Sequence, residues 1–142
     1  MEDKFTNSVI LKNSINYEKI QSLVNETNRL SFFKKKKSLL VKNEQGIFKI
    51  RLNEIVFIES SKKNTIIHTQ NEQITSYKTM KEYENRLREY RFYRCHISYI
   101  VNTDYVANIQ ENVLRMNNRE IIPISRYRRK ELVQIMHKTK TI

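Results

Sequence analysis

The chain has 142 residues, 27 Lys and Arg against 15 Asp and Glu, and a formal charge of +12, which suits one basic domain plus an appended segment. One cysteine excludes an intramolecular disulfide and fits a reducing compartment, and one glycine excludes phosphate-cradling loops of the Walker or dinucleotide type. Such an excess of positive charge calls for an anionic partner, nucleic acid first and an anionic membrane surface second.

The charge is unevenly spread. Residues 1–30 balance four basic groups (Lys4, Lys12, Lys19, Arg29) with four acidic ones (Glu2, Asp3, Glu18, Glu26), so the whole +12 falls in 31–142. Residues 1–14 show no periodicity and no charged-then-apolar leader. No apolar run approaches the ~18 residues that span a bilayer, so a cytoplasmic protein is expected. Ile20, Leu23, Val24 and Leu30 fall on one helical face and predict an amphipathic helix over 16–30. That helix would pack on the domain, pair with a copy of itself, or dock on a partner. Phe32 and Phe33 then precede Lys34–Lys37, a basic hinge. The expected boundaries are 1–37 for an N-terminal segment with helix and basic linker, and 38–142 for the domain.

From Ser38 the pattern changes to strands. SLLVKN (38–43), GIFKI (46–50), IVFIES (55–60), NTIIHTQ (64–70) and QITSYK (73–78) are short, β-rich and separated by polar turns. With so little Gly, the turns must use Asn, Asp, Ser and Lys, and Asn is the natural substitute because it tolerates positive φ. Thr79 stands three residues before Glu82, a capping-box spacing that starts a helix with Met80, Tyr83 and Leu87 as its core stripe.

Residues 92–102, FYRCHISYIVN, alternate apolar with polar or basic side chains, as a strand does. Alternation puts Arg94, His96 and Ser98 on one face and Cys95, Ile97 and Tyr99 on the other. YVANI (105–109), VLRMN (113–117) and EIIPI (120–124) follow, with Asn117-Asn118 as a hairpin turn and Pro123 at an edge or strand end. Ser125 is a good N-cap for a last helix with Leu132, Val133, Ile135 and Met136 as its apolar face.

Catalysis is hard to assemble from these residues. His68, His96 and His137 have no metal-ligand spacing, so neither a metal nor another cofactor is expected. Cys95 and His96 are neighbours on a strand and face opposite ways, which rules out a nucleophile and base pair. Cys95 reads as a buried small residue, with redox sensing as the alternative because Arg94 and His96 flank it. Binding chemistry is easier to see. Arg126, Arg128 and Arg129 crowd the first turn of the last helix, where cations oppose the macrodipole at ~0.3–1 kcal/mol each. The placement is tolerable if those side chains meet phosphates or guanine edges. Tyr127 would touch a sugar or a thymine methyl, or pack inward, and Lys62, Lys63 and Asn64 form a second basic patch on a hairpin tip.

IVFIES, FYRCHISYIVN and IIPISRYRRKEL, in that order and spacing, resemble the LytTR DNA-binding domain over about residues 38–137. The family's His-x-Ser-aromatic-Ile-Val-Asn run stands here as His96, Ser98, Tyr99, Ile100, Val101 and Asn102, followed later by Ile124-Ser125-Arg126. The resemblance implies a mostly β (α+β) domain of elongated antiparallel strands with two short helices, plus the N-terminal helix. It also splits the 92–102 stretch into two short strands meeting near Cys95-His96, with Tyr99, Ile100 and Val101 in the core.

By the same resemblance, two copies insert loops and a helix start into successive major grooves of double-stranded DNA at a promoter direct repeat. The matching DNA-binding positions are Lys62, Lys63, Asn64, Thr65, His96, Ile97, Ser98, Ser125, Arg126, Tyr127 and Arg128. Ile97 departs from the family, which commonly has Arg, Lys or Asn there; an aliphatic chain can touch a thymine methyl but cannot bond a base edge. A receiver domain, frequent in these bacterial response regulators, has no room in 142 residues, and Asp3 is the only Asp in 1–30. With Met1 as the true start, the chain resembles the short stand-alone regulators, some held by a membrane protein, and its 1–37 segment would meet such an inhibitor. A small RNA-binding module using Tyr77, Tyr93 and Tyr99 to stack on bases, or an interaction protein acting through its N-terminal helix, are the alternatives.

Overall fold

A computed structural model describes residues 19–22 and 37–138. The chain divides into two compact units, Met1–Lys37 and Ser38–Ile142. Of the helix expected over 16–30, residues 19–22 are helical and exposed. The rest of that helix, residues 1–14 and the hinge before Lys37 lie outside the described residues.

The second unit begins with β1 (Ser38–Asn43) and β2 (Gly46–Arg51), then β3 (Ile55–Ser61), β4 (Asn64–Thr69) and β5 (Gln73–Ser76). Helix α1 (Met80–Leu87) leads to β6 (Phe92–His96) and β7 (Tyr99–Asn102). Strands β8 (Val106–Ile109), β9 (Val113–Met116) and β10 (Ile121–Pro123) precede α2 (Arg126–Lys138). The strands form a β1-β2 hairpin, a three-stranded β10-β9-β8 sheet and a central five-stranded sheet in the order β5-β4-β3-β7-β6. Every pairing is antiparallel, so the expected mostly β class holds.

β3 is the middle strand, and both of its faces are covered. Ile55, Val56, Phe57 and Ile58 are each no more than 3% exposed, which explains why IVFI reads as an unbroken apolar run. A register shift between Ile55 and Phe57 lets Val56 and Phe57 turn toward one core while Ile55 and Ile58 turn toward the other. On the first side Ile74, Ile67, Ile58 and Ile100 form a row across four strands. Met80, Tyr83 and Leu87 of α1 and Leu39, Val41 and Ile50 of the hairpin cover that row. On the second side Phe57, Cys95 and Val101 meet Leu114, Met116 and Ile122 of the three-stranded sheet and Leu132 of α2. The other expected apolar positions of α2, Val133, Ile135 and Met136, are half-buried.

Local signals explain the ends of the elements. Thr79 Oγ1 accepts from the Glu82 N–H and Glu82 Oε1 accepts from the Thr79 N–H, both at 3.1 Å, completing the capping box at α1. That amide holds the Glu82 carboxyl below its usual range. Pro123 ends β10, an edge strand, so its missing N–H costs no sheet bond.

The turns depart from expectation. Among the described residues, positive φ outside glycine falls on Lys62 (52°), Arg91 (72°) and Arg119 (74°), and on no Asn. Asn shapes turns through its side chain instead: Asn43, Asn102 and Asn118 Oδ1 accept from the N–H two residues on. At the β9–β10 turn, Arg119 N–H donates to the Met116 carbonyl and Met116 N–H to that of Glu120, both at 2.9 Å. Such a hairpin loop needs its last residue left-handed, the place usually given to Gly. Because exposed Arg119 occupies it, Arg119→Gly is expected to raise stability by ~1 kcal/mol, seen as a later urea midpoint. An earlier midpoint would show that the arginine side chain outweighs its backbone strain.

The 92–102 stretch also differs from simple alternation. It is a hairpin with a register shift between Arg94 and His96 and a turn at 97–98, so Arg94, His96 and Ser98 do not share one flat face. Ile100, Val101 and Asn102 are buried, and Asn102 Nδ2 donates to the Ile55 carbonyl at 2.9 Å.

Candidate nucleic-acid interface

Three segments distant in sequence meet at one end of the central sheet. β3 ends there and β4 begins, and β6 ends there and β7 begins. Ser60 N–H donates to the Ser98 carbonyl at 3.0 Å, which sets the 61–64 hairpin tip beside the 97–98 bend. Ser125 N–H donates to the Cys95 carbonyl at 3.1 Å and Arg128 Nη1 to the Arg94 carbonyl at 2.9 Å. These bonds hold the first turn of α2 against the end of β6.

The expected site residues fall into two groups. Lys62, Lys63 and Arg126 are exposed, Ile97 is 76% exposed and Tyr127 is 90% exposed. The side chains of Arg126 and Tyr127 have no hydrogen-bond or ion-pair partner among the described residues. Asn64, His96, Ser98, Ser125 and Arg128 are half-buried. His96 Nδ1 accepts from the Ser98 N–H at 3.1 Å, which makes Nε2 the protonated nitrogen of the neutral ring and closes the bend. Ser125 Oγ accepts from the Arg128 N–H at 3.4 Å, a long cap.

Thr65 requires a correction. It is 2% exposed, and its hydroxyl lies 3.0 Å from the Lys78 carbonyl and 3.3 Å from that of Ser76. A buried hydroxyl must be bonded internally, so Thr65 ties the hairpin to the start of α1 rather than facing a ligand.

The arginine cluster is also divided. Arg128 donates to the Arg94 carbonyl, and Arg129 Nε donates to the Gln110 carbonyl at 2.9 Å. Two cations at the helix start are therefore compensated by backbone oxygens of neighbouring elements, and only Arg126 and Lys130 point fully outward. Sequence patterning missed a further anchor. The Tyr93 hydroxyl lies 2.7 Å from a Glu131 carboxylate oxygen and 3.1 Å from the Arg128 carbonyl, and burial with the Glu131 bond raises its pKa. Tyr93 and Glu131 are 38 residues apart, beyond the reach of any local pattern.

Cys95, on β6, is 0% exposed and packs in the core that holds Ile122 of the three-stranded sheet and Leu132 of α2, with Sγ 3.7 Å from the Pro123 carbonyl and 3.8 Å from that of Tyr99. Burial pushes the thiol up to about 12, so the reactive thiolate is absent near neutral pH and the redox-sensing expectation is withdrawn. The folded protein is expected to resist a thiol reagent that modifies it readily in denaturant. Rapid native-state modification would refute this.

No cluster of three or more His, Cys, Asp or Glu capable of holding a metal occurs among the described residues. Nor is any described helix long and apolar enough to cross a membrane.

The LytTr DNA-binding domain family matches residues 45–137. The transcriptional regulatory protein YpdB of Escherichia coli K12 is 31% identical over 104 residues, 69% of this chain and 42% of that protein. The transcriptional regulatory protein LytR of Staphylococcus aureus NCTC 8325 is 32% identical over 74 residues, 52% of this chain and 30% of that protein. The chain therefore spans less than half the length of either relative. The LytTr DNA-binding domain of a putative methyl-accepting/DNA response regulator from Bacillus cereus shares the fold. Its TM-score is 0.63 at 24% identity, covering 71% of this chain and 97% of that one.

Proposed function

The chain belongs to the LytTR family of DNA-binding domains, and from that premise we propose that it is a sequence-specific transcriptional regulator of promoter DNA. The observation that carries the proposal is the convergence of Lys62, Lys63, Ile97, Arg126 and Tyr127, all exposed, at one end of the central sheet. Lysines at a hairpin tip and an arginine at a helix start suit phosphate and base edges respectively. Ile97 supplies an apolar contact of the kind a thymine methyl accepts. Two copies on a direct repeat, entering successive major grooves, follow from the family reading. The 1–37 segment is the proposed docking point for a membrane or protein inhibitor, and deleting residues 1–30 should abolish that interaction while leaving DNA binding.

The RNA-binding alternative loses support from its own residues. Of its three stacking tyrosines only Tyr77 is exposed, while Tyr93 bonds toward α2 and Tyr99 lies against Phe57 and His96.

Selection from a random pool of DNA duplexes, followed by competition with single-stranded RNA, tests the function. A recovered motif whose affinity falls steeply with salt is expected, because released counterions drive phosphate contacts. Absence of any enriched duplex, or displacement by RNA at equal concentration, would defeat the proposal.

A further inference from the structure

Arg94 joins all the elements that carry the 97–98 bend and the start of α2. Its Nε and Nη2 both donate to the Ile97 carbonyl, at 3.3 and 2.7 Å, and its Nη1 donates to Glu84 Oε1 of α1 at 3.1 Å. The Arg94 carbonyl in turn accepts from Arg128 Nη1 at 2.9 Å. Its side chain is 18% exposed, and that of Glu84 is 29% exposed, so this is not a solvated surface cation. A rigid planar guanidinium can hold a carbonyl with two N–H groups while a third meets a carboxylate, and a lysine cannot. With its carbonyl turned inward to Arg94, Ile97 presents its side chain outward at the tip.

We propose that Arg94 and Glu84 are specificity-determining positioning residues: without touching DNA, they fix the Ile97 bend against the first turn of α2 and so set which bases the two reach together. The proposal rests on the reading that both elements face DNA. Recognition groups need support that holds them within about half an ångström, and bonds from outside the contact surface supply it.

Glu84→Ala and Arg94→Lys test the idea with different electrostatic signatures. Alanine is the best helix former, so Glu84→Ala leaves α1 able to fold, while the protein becomes one unit more positive. Charge alone would tighten its binding to every duplex. Positioning instead predicts that preference for a duplex selected by the wild type, over a scrambled duplex of the same composition, falls about tenfold. Arg94→Lys keeps the charge and should lose the same preference with an unchanged salt slope. Repeating the selection with each variant should blur the bases read by the bend and helix start, with thermal melting confirming a folded domain. Unchanged preference in both folded variants overturns the proposal. So does a parallel loss on both duplexes in Arg94→Lys, which would make Arg94 a backbone contact. Failure of the wild type to select any duplex overturns the functional reading instead, a distinct result.

Discussion

Arg126→Ala is expected to weaken binding to the preferred duplex by ~1–3 kcal/mol, with a smaller loss on unrelated DNA, as removal of a base-reading arginine does. The physical case is the contrast with its neighbours. Arg128 and Arg129 spend donors on the Arg94 and Gln110 carbonyls, whereas Arg126 is exposed and begins α2 with its guanidinium available. A cation in that position opposes the helix dipole and gains no internal bond in return. Its removal should therefore leave the unfolding midpoint unchanged or slightly raised. Arg128→Ala should behave differently, lowering stability as well as affinity because it unfastens α2 from β6. Fluorescence anisotropy on both duplexes, beside thermal melts, separates the two. Equal weakening of Arg126→Ala on both duplexes would reassign it to the phosphate backbone.

Ile58→Ala is expected to cost ~2–5 kcal/mol of folding stability, the range for truncating a large buried aliphatic side chain. Ile58 is 0% exposed and pairs with Ile67 on one side and Ile100 on the other, so no neighbour can close over the space. Leu40 is the control: it is 62% exposed on β1, and its alanine variant should stay within ~0.5 kcal/mol of the parent. Urea unfolding of both variants measures the difference. A loss below that of Leu40→Ala would contradict the central place given to the isoleucine row.

Much of the architecture was legible because the local signals agree with one another. The IVFI run announces a strand covered on both faces, the Thr79 and Glu82 spacing announces α1, and Pro123 announces an edge. What stayed hidden depends on partners distant in sequence. Thr65 reads as a polar residue at a hairpin tip, and only the carbonyls of Ser76 and Lys78 make it internal. Arg94 reads as one more surface cation until Glu84 and the Ile97 carbonyl stand beside it. The left-handed residues were illegible for another reason. Loop length fixes where positive φ must fall in the hairpins at Lys62 and Arg119, and Arg91 takes it as the left-handed cap after a 3-10 turn, so position overrode the preference for Asn.

The exposed tips have a consequence for how this protein can change over generations. Lys62, Lys63, Ile97, Arg126 and Tyr127 stand outside both apolar cores. Substitutions there leave the packing intact, so they escape the stability threshold that purges most core changes. Under the DNA contact proposed for these tips, operator preference can drift between duplicated copies while the scaffold stays fixed. Descendants of one such gene would diverge first at these tips, and would stop competing for each other's promoters long before their folds could be told apart.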